Sequence, residues 1–525
     1  MKSKTGLQIA RLVVSVVVTG LIAVSFLDIT ASQPVWVANY GTHWQFVPSI
    51  LSFLAAPAIA AGGFIIIALL TLLFGRVYCS WLCPLGFFQD VVGAVGRLFR
   101  KKKRRFQYSK PVPVLRYALL ILIVVMALVG IMVPVVLTDP FSIFGRMMTH
   151  LAHPMVTGLN NLFSGWLSQA DVFWLKPRTT TGFHAGAFLT GLSLTLIVGV
   201  MAFRSGRLWC NTVCPAGTLL GLISRTALWR INLDKAKCTS CGLCSSVCKA
   251  QCIDVKERKV DFDRCVGCMN CLNTCRQGGV KYEWLPKQPA PGSTKTPAMG
   301  EGRRTALKAF ALLAVTVAMT KIKAATDVFS LKKAVKPNNR SHFVSPPGSL
   351  GIDRFNDVCT ACHLCVSACP TRVLQPSFTE YGLKGFLQPF MDYHSNFCNF
   401  ECTRCGEVCP TGAITALLPE VKKRVQTDIA HFVKENCVVN TDETSCGACS
   451  EHCPTKAVHM VEYKPGLLIP EVNDSICVGC GACEYACPTL PNRAIFVDGN
   501  LVHKVASEPE NADENKEEVP EEFPF

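Results

Sequence analysis

The chain has 525 residues, of which 50% are hydrophobic and 17% charged, 29 cysteines and a formal net charge of +16. Such a length predicts roughly three or four domains, and the hydrophobic content with a positive mean hydropathy of +0.30 points to a partly membrane-embedded protein. Cysteines repeated at short spacings point to metal ligation rather than a disulfide framework. The positive charge is no nucleic-acid signature, because its excess lies in loops beside apolar stretches.

Residues 8–27, 50–74, 114–137 and 183–203 are apolar enough for four membrane helices. The loop after the second span carries Arg97, Arg100, Lys101, Lys102, Lys103, Arg104 and Arg105, whereas residues 28–50 have no Lys or Arg. This places the basic loop, the N-terminus and the segment after the fourth span in the cytoplasm.

An internal repeat follows the second and fourth spans. Gly75-Arg-Val-Tyr-Cys79-Ser-Trp-Leu-Cys83-Pro-Leu-Gly86 matches Gly206-Arg-Leu-Trp-Cys210-Asn-Thr-Val-Cys214-Pro-Ala-Gly217, 131 residues further on. Both copies follow an outside-to-inside span, so the repeat is parallel and its pseudosymmetry axis lies along the membrane normal. Cys79, Cys83, Cys210 and Cys214 are candidates for an extra redox or metal centre, since thiolates are the ligands such centres select. Two structural turns with buried cysteines are the alternative.

Beyond the fourth span, Cys238, Cys241, Cys244, Cys248 and Cys265, Cys268, Cys271, Cys275 have the C-x2-C-x2-C-x3-C spacing of a two-cluster ferredoxin. In that arrangement three cysteines of one motif and the fourth of the other hold each [4Fe-4S] cluster. Lys249 and Arg276 replace the customary proline after the fourth cysteine. Each is either a cation tuning a nearby cluster or a solvated side chain. Cys252 reads as a small buried residue rather than a ligand.

Residues 286–301 have linker composition. Gly302-Arg-Arg-Thr-Ala-Leu-Lys308, followed by an uncharged run to Thr320, has the layout of a twin-arginine export signal or a fifth span, in mid-chain. Four more motifs follow: Cys359, Cys362, Cys365, Cys369; Cys398, Cys402, Cys405, Cys409; Cys437, Cys446, Cys449, Cys453; and Cys477, Cys480, Cys483, Cys487, each closed by a proline. Pairing the first with the second and the third with the fourth is preferred, with 457–462 and 494–497 as candidate strands of the latter ferredoxin. Pairing first with fourth and second with third is the other option. Clusters are assembled in the reducing cytoplasm, so an exported polyferredoxin must cross folded, which suits a twin-arginine signal. The stretch from Ser507 to Phe525, with eight acidic residues and one lysine, reads as a disordered tail.

The duplicated C-x3-C-P and the first ferredoxin resemble the NapH-type membrane quinol dehydrogenase component. The four proline-closed motifs behind the twin arginines resemble its NapG/MauM-type exported four-cluster partner. Fold class is accordingly a membrane α-helical bundle joined to α+β ferredoxin-like dicluster domains. The expected divisions are 1–230 (helices), 231–285 (cytoplasmic ferredoxin), 286–301 (linker), 302–325 (signal or fifth span), 340–505 (periplasmic polyferredoxin) and 506–525 (tail).

The resemblance implies an inner-membrane electron carrier with six [4Fe-4S] clusters and a possible seventh metal centre. It implies oxidation of the membrane quinol pool and delivery of electrons to a periplasmic c-type cytochrome or reductase, of the nitrate reductase type. No terminal catalytic site and no nucleic-acid partner are expected. A redox-sensing assembly factor and a ferredoxin-fed quinone reductase are the competing classes. His150, His153, His184, Asp28, Asp139 and Asp171 lie near expected outer span ends, where polar interfacial roles compete with proton transfer.

Overall fold

The computed structural model describes residues 6–28, 33–57, 62–99, 106–169, 171, 175–178, 184–275, 277–284 and 340–508. The linker, the twin-arginine segment, Arg276 and most of the acidic tail lie outside the described residues.

Helix α1 (Gly6–Phe26) buries Arg11, Ser15, Thr19, Ile22 and Ser25, spaced three or four apart, together with Phe26. Leu12, Val13, Val16, Val17 and Val24 are left exposed. A polar stripe packed inward with aliphatic side chains outward is the pattern of a helix surrounded by lipid. Helices α2 (Val35–Thr42) and α3 (Phe46–Ala55) lead to α4 (Gly63–Phe74), then to the short α5 (Tyr78–Trp81) and to α6 (Pro84–Leu98). Next come α7 (Pro113–Leu128), α8 (Val133–Thr138), α9 (Pro140–Met147), a π-helical turn (Met148–Ala152), α10 (His153–Ser168) and α11 (Ala185–Ser205). Helices α12 (Leu208–Thr212) and α13 (Pro215–Ser224) complete the bundle.

Two of the four expected spans are not single helices. Residues 50–74 divide between α3 and α4, because Ala56 is extended ahead of Pro57 and ends α3. Residues 114–137 divide at Gly130, whose φ of 82° stops α7, and Pro134 opens α8. Only α1 and α11, each of 21 residues, are long and apolar enough among the described helices to cross a bilayer unaided.

The first ferredoxin unit pairs β1 (Trp229–Leu233) antiparallel with β4 (Val280–Trp284), and β2 (Ile253–Asp254) with β3 (Lys259–Val260). It is fastened to the start of α1, where Gln8 Nε2 donates to Met269 O at 2.8 Å and Asn273 Nδ2 donates to Gln8 Oε1 at 2.7 Å. Asp263 accepts from Tyr117 and Arg225, both at 2.6 Å, and pairs with Arg116 at 3.0 Å. Burial pushes the Asp263 carboxyl up, but these hydrogen bonds and cations outweigh it and hold the carboxyl below its usual range.

The second unit contains three two-stranded antiparallel sheets. Strand β5 (Leu374–Pro376) pairs with β6 (Pro389–Met391), β7 (Val425–Phe432) with β10 (Ile495–Val505), and β8 (Val458–Lys464) with β9 (Leu467–Val472). The two candidate strands exist but do not pair with each other. The turn at Gly466 folds β9 back onto β8, leaving β10 to reach β7. Arg340 and Glu484 form a buried ion pair that ties the unit's entry to its last motif.

This second unit sits on the other end of α1. Helix Leu364–Ala368 packs against both α1 and the π-turn. Thr149 Oγ1 and Ser367 Oγ lie 2.9 Å apart, His150 Nε2 is 2.5 Å from His363 Nδ1, and Arg404 reaches Gln33 O at 2.8 Å. Gly145 of α9 lets the backbones meet: a Cβ there would lie 2.3 Å from Cys362 O and 2.8 Å from the Phe26 ring. Gly145→Ala should therefore loosen this junction by about 1–3 kcal/mol. Faster amide exchange in Leu364–Ala368 is the expected readout, with Gly158→Ala, which meets nothing within 4 Å, as the silent control.

Candidate metal centres

The cysteine motifs fold as short loops followed by single helical turns, and turns from different motifs pack in pairs. Helix Leu364–Ala368 packs on Arg404–Glu407, and Ala448–Glu451 on Ala482–Ala486. Each pairing brings the fourth cysteine of one motif to the first three of its partner. Cys359, Cys362 and Cys365 lie within electrostatic reach of Cys409, and Cys398, Cys402 and Cys405 of Cys369. Likewise Cys437, Cys446 and Cys449 stand with Cys487, and Cys477, Cys480 and Cys483 with Cys453.

The same exchange orders the first ferredoxin unit. Cys238, Cys241 and Cys244 line a cavity of about 230 Å³ together with Cys275. Cys265, Cys268 and Cys271 gather around Cys248. Backbone amides point at several sulfurs: Gly279 N is 3.2 Å from Cys275 Sγ, Ala361 N 3.4 Å from Cys359 Sγ and Ile414 N 3.4 Å from Cys409 Sγ. Among the described residues, no three Cys, His, Asp or Glu side chains are placed to hold one metal ion. Cysteine quartets into which backbone amides donate fit a multi-iron cluster.

Two side chains flanking the first ferredoxin's motifs fall in place. Lys249 is buried and its Nζ meets Asp90 at 2.9 Å, so it is not a solvated side chain. Asp90 also takes Arg11 and Arg207, at 3.0 and 2.9 Å. Cys252 is buried with its Sγ 3.6 Å from that of Cys248.

The duplicated turn builds a further group of thiols. Gly75 (φ 80°) and Gly206 (φ 67°) end α4 and α11 in backbone conformations that favour glycine. Cys83 and Cys214 then sit at the N-caps of α6 and α13, each with proline at the first helical position. The arginines exchange between copies. Arg76 Nη2 reaches Cys210 O at 3.1 Å and Cys79 Sγ at 3.6 Å, and its Nη1 reaches Asn211 at 2.9 Å. Reciprocally, Arg207 Nη1 reaches Cys79 O at 2.7 Å and Cys210 Sγ at 3.9 Å.

Gly86 and Gly217 make room for the crossing guanidinium groups. A Cβ on Gly86 would lie 2.4 Å from Arg207 Nη1, and one on Gly217 2.9 Å from Arg76 Nη2. Cys79, Cys83, Cys210 and Cys214 are all buried and within electrostatic reach of one another. The arginines that organise them carried a sequence signal, their repetition, but no chemistry of their own in the motif.

The polar residues near the expected outer span ends are structural in part. Asp139 caps α9 through Ser142, at 2.8 Å to its amide. Arg146 is fully buried and donates to Val136 O at 2.6 Å. His150 is engaged by His363, His153 contacts Thr157, and His184 stacks on Phe378 with ring centroids 5.2 Å apart. Asp28 lies 3.7 Å from Arg404. Asp171 takes a left-handed backbone conformation with φ 54°.

A family model described as a 4Fe-4S binding domain matches residues 56–106 and 187–233, the two copies of the repeat. A 4Fe-4S dicluster domain matches 444–490, and a second 4Fe-4S binding domain matches 353–375. The methylamine utilization ferredoxin-type protein MauM of Methylophilus methylotrophus is 33% identical over 166 residues, which are 30% of this chain and 72% of that protein. The ferredoxin-type protein NapH of Haemophilus influenzae is 27% identical over 231 residues, 42% of this chain and 67% of the relative. NapH of Escherichia coli is 26% identical over 269 residues, 46% and 79% of the two chains. No solved structure matches.

The thiol groupings have a specific consequence. Replacing Cys359 and Cys409 together by serine should cost one cluster, about four irons per chain, whereas replacing Cys359 and Cys369 should cost two, about eight. Iron and acid-labile sulfide analysis of the purified variants checks the difference.

Proposed function

Because the chain belongs to the MauM ferredoxin-type family and joins to it a NapH-type unit, we propose that it is a membrane quinol dehydrogenase component that passes electrons toward a reductase on the outer side. It is an iron-sulfur electron-transfer protein of the membrane, and the proposal adds the donor, the direction and the number of centres. The observation that carries it is the placement of cysteine-bearing units at both ends of α1. Gln8 meets the first unit and Phe26 borders the second.

The six quartets of the ferredoxin motifs are assigned as ligands of six [4Fe-4S] clusters, grouped as their thiols stand. When bound, such clusters take up and release one electron each. The chain's part is to fix their spacing, exclude water and tune them. Amides of Ala361, Ile414 and Gly279 donate to cysteine sulfurs and favour the more negative, reduced form. Lys249 next to the Cys248 loop pairs with Asp90, which Arg11 and Arg207 share, so this group of charges is net positive beside the loop.

On this reading the first ferredoxin faces the cytoplasm and the second the periplasm. The bundle crosses four times, with the α3–α4 pair and the α7–α8 pair each making one broken crossing, and the twin-arginine segment crosses a fifth time. Quinol would be oxidised within the bundle. A periplasmic c-type cytochrome or a reductase of the nitrate reductase type is the acceptor class.

Reduced menaquinol or ubiquinol added to the reconstituted protein should bleach the iron-sulfur absorption. Unchanged spectra, with low abundance of a terminal reductase in a deletion strain, would instead identify an assembly factor. Sidedness has its own measurement: reporter domains fused after residues 290 and 345 should lie inside and outside respectively, and finding both inside would refute the export reading.

A further inference from the structure

Three cations converge on Asp90. Its Oδ1 takes Arg207 at 2.9 Å, and its Oδ2 takes Arg11 at 3.0 Å and Lys249 at 2.9 Å. Beside this group a cavity of about 460 Å³ opens between α1, α6 and the first ferredoxin unit. We propose that the cavity binds one anionic phospholipid, its phosphate held by Arg11, Lys249 and Arg97 and its acyl chains laid along Leu12, Val16 and Val91. The proposal rests on the membrane reading of α1 and on no electron-transfer step.

Charge selects an anion. Helix α1 has no acidic residue and α6 has one, Asp90, which is the single carboxylate on the cavity wall among the described residues. Three cations on that carboxylate leave an excess of positive charge, and Arg97 on the same wall adds to it. Arg207 and Lys249 have further groups to answer them: Arg207 donates to Cys79 O at 2.7 Å, and Lys249 is within electrostatic reach of Cys268. Arg11 draws on Asp90 alone among the described residues. It is only 8% exposed, and its Nε is buried without a hydrogen-bond partner. An unpaired donor on a buried cation is costly, and a phosphate oxygen satisfies its hydrogen bond and its charge together. A quinol headgroup is neutral and would leave the excess charge in place.

Shape selects a lipid over a free anion. Leu12, Val16 and Val91 line the same cavity and are exposed on the surfaces of α1 and α6. Leu12 and Val16 lie four residues apart on α1, so they form one apolar strip along the helix. A soluble phosphate would use none of this surface, whereas an acyl chain covers it. Basic pockets at the cytoplasmic ends of membrane helices attract anionic headgroups by the same combination.

The site joins two parts of the chain. Arg11 and Arg97 belong to α1 and α6, and Lys249 belongs to the first ferredoxin unit. Asn270, beside Cys271 in that unit, lies on the same wall, as does Gln8, which donates to Met269 O at 2.8 Å. One phosphate shared by these cations would therefore tighten the seating of the ferredoxin on the bundle.

The test uses full-length protein in nanodiscs of phosphatidylcholine alone or of phosphatidylcholine and phosphatidylglycerol in equal amounts, followed by native mass spectrometry of the lipid each chain retains. Wild-type protein should keep one phosphatidylglycerol in preference to phosphatidylcholine. Arg11→Gln should lower that preference about fivefold, and Arg97→Glu, at an exposed position, by more. Amide exchange at 268–271 should be slower in the mixed discs than in phosphatidylcholine alone. Equal retention of the two lipids by the wild type overturns the proposal, however the variants fold. So does a preference that neither variant lowers, which would belong to the basic loop after α6. Displacement of phosphatidylglycerol by inorganic phosphate would identify a free-anion site, and displacement by a short-chain quinol would identify the donor's site; either result overturns the lipid assignment. Failure of quinol to reduce the protein would sink the quinol reading and leave the lipid site standing.

Discussion

The structure depends on two guanidinium groups that cross between the copies of a repeat inside a low-dielectric bundle. A buried arginine must spend all its donors locally. Arg76 and Arg207 each donate to a cysteine carbonyl of the opposite copy and to a cysteine sulfur of their own, which holds the two turns face to face. Every other residue of the motif follows from that exchange. Glycine before each arginine supplies the left-handed turn, proline after the second cysteine starts the next helix, and the last glycine clears space for the incoming side chain. Replacing that last glycine in either copy would push a Cβ into the guanidinium of the other, so the two halves of the bundle are specified together.

Around this knot α1 acts as a ruler. Its lipid-facing side is aliphatic, while its inward side presents Arg11, Ser15 and Thr19 to the bundle. Its two ends carry specific contacts to two separate cysteine-rich units. Joining them in one chain raises their effective concentration. The docking of the second unit through Thr149, His150 and Gly145 shows that contact chemistry, as well as linkage, holds it there.

Much of this was legible in the sequence because the motifs are local. The cysteine spacings announced their loops, and the strict repeat announced a duplicated turn. What was hidden is what depends on partners far along the chain. The span boundaries at Ala56 and Gly130 depend on short-range proline and glycine effects that a hydropathy window averages away. Strand β10 was legible as a strand but its partner was not, since Val425–Phe432 lies well before it and a nearer strand, β8, competed for it until Gly466 closed that hairpin. The choice for Lys249 between a cluster-tuning cation and a solvated side chain stayed open because Asp90, its partner, sits on a helix some 160 residues earlier. His363 was invisible as a site residue, since only the fold brings it to His150.

The arginine of each turn deserved a question that spacing alone does not ask: what cancels its charge once the helices close over it. For Arg207 the answer is partly Asp90. For Arg76 no carboxylate answers among its hydrogen-bond partners, and the nearest side chain able to carry negative charge is the Cys79 thiol. Its charge is met by oriented dipoles, the carbonyls of Cys210 and Asp263 and the Asn211 side chain, beside the Cys79 sulfur. The duplicated turn is therefore specified as a pair, because each guanidinium finds a cysteine carbonyl of the opposite copy and a backbone bend in one copy fixes the acceptor used by the other.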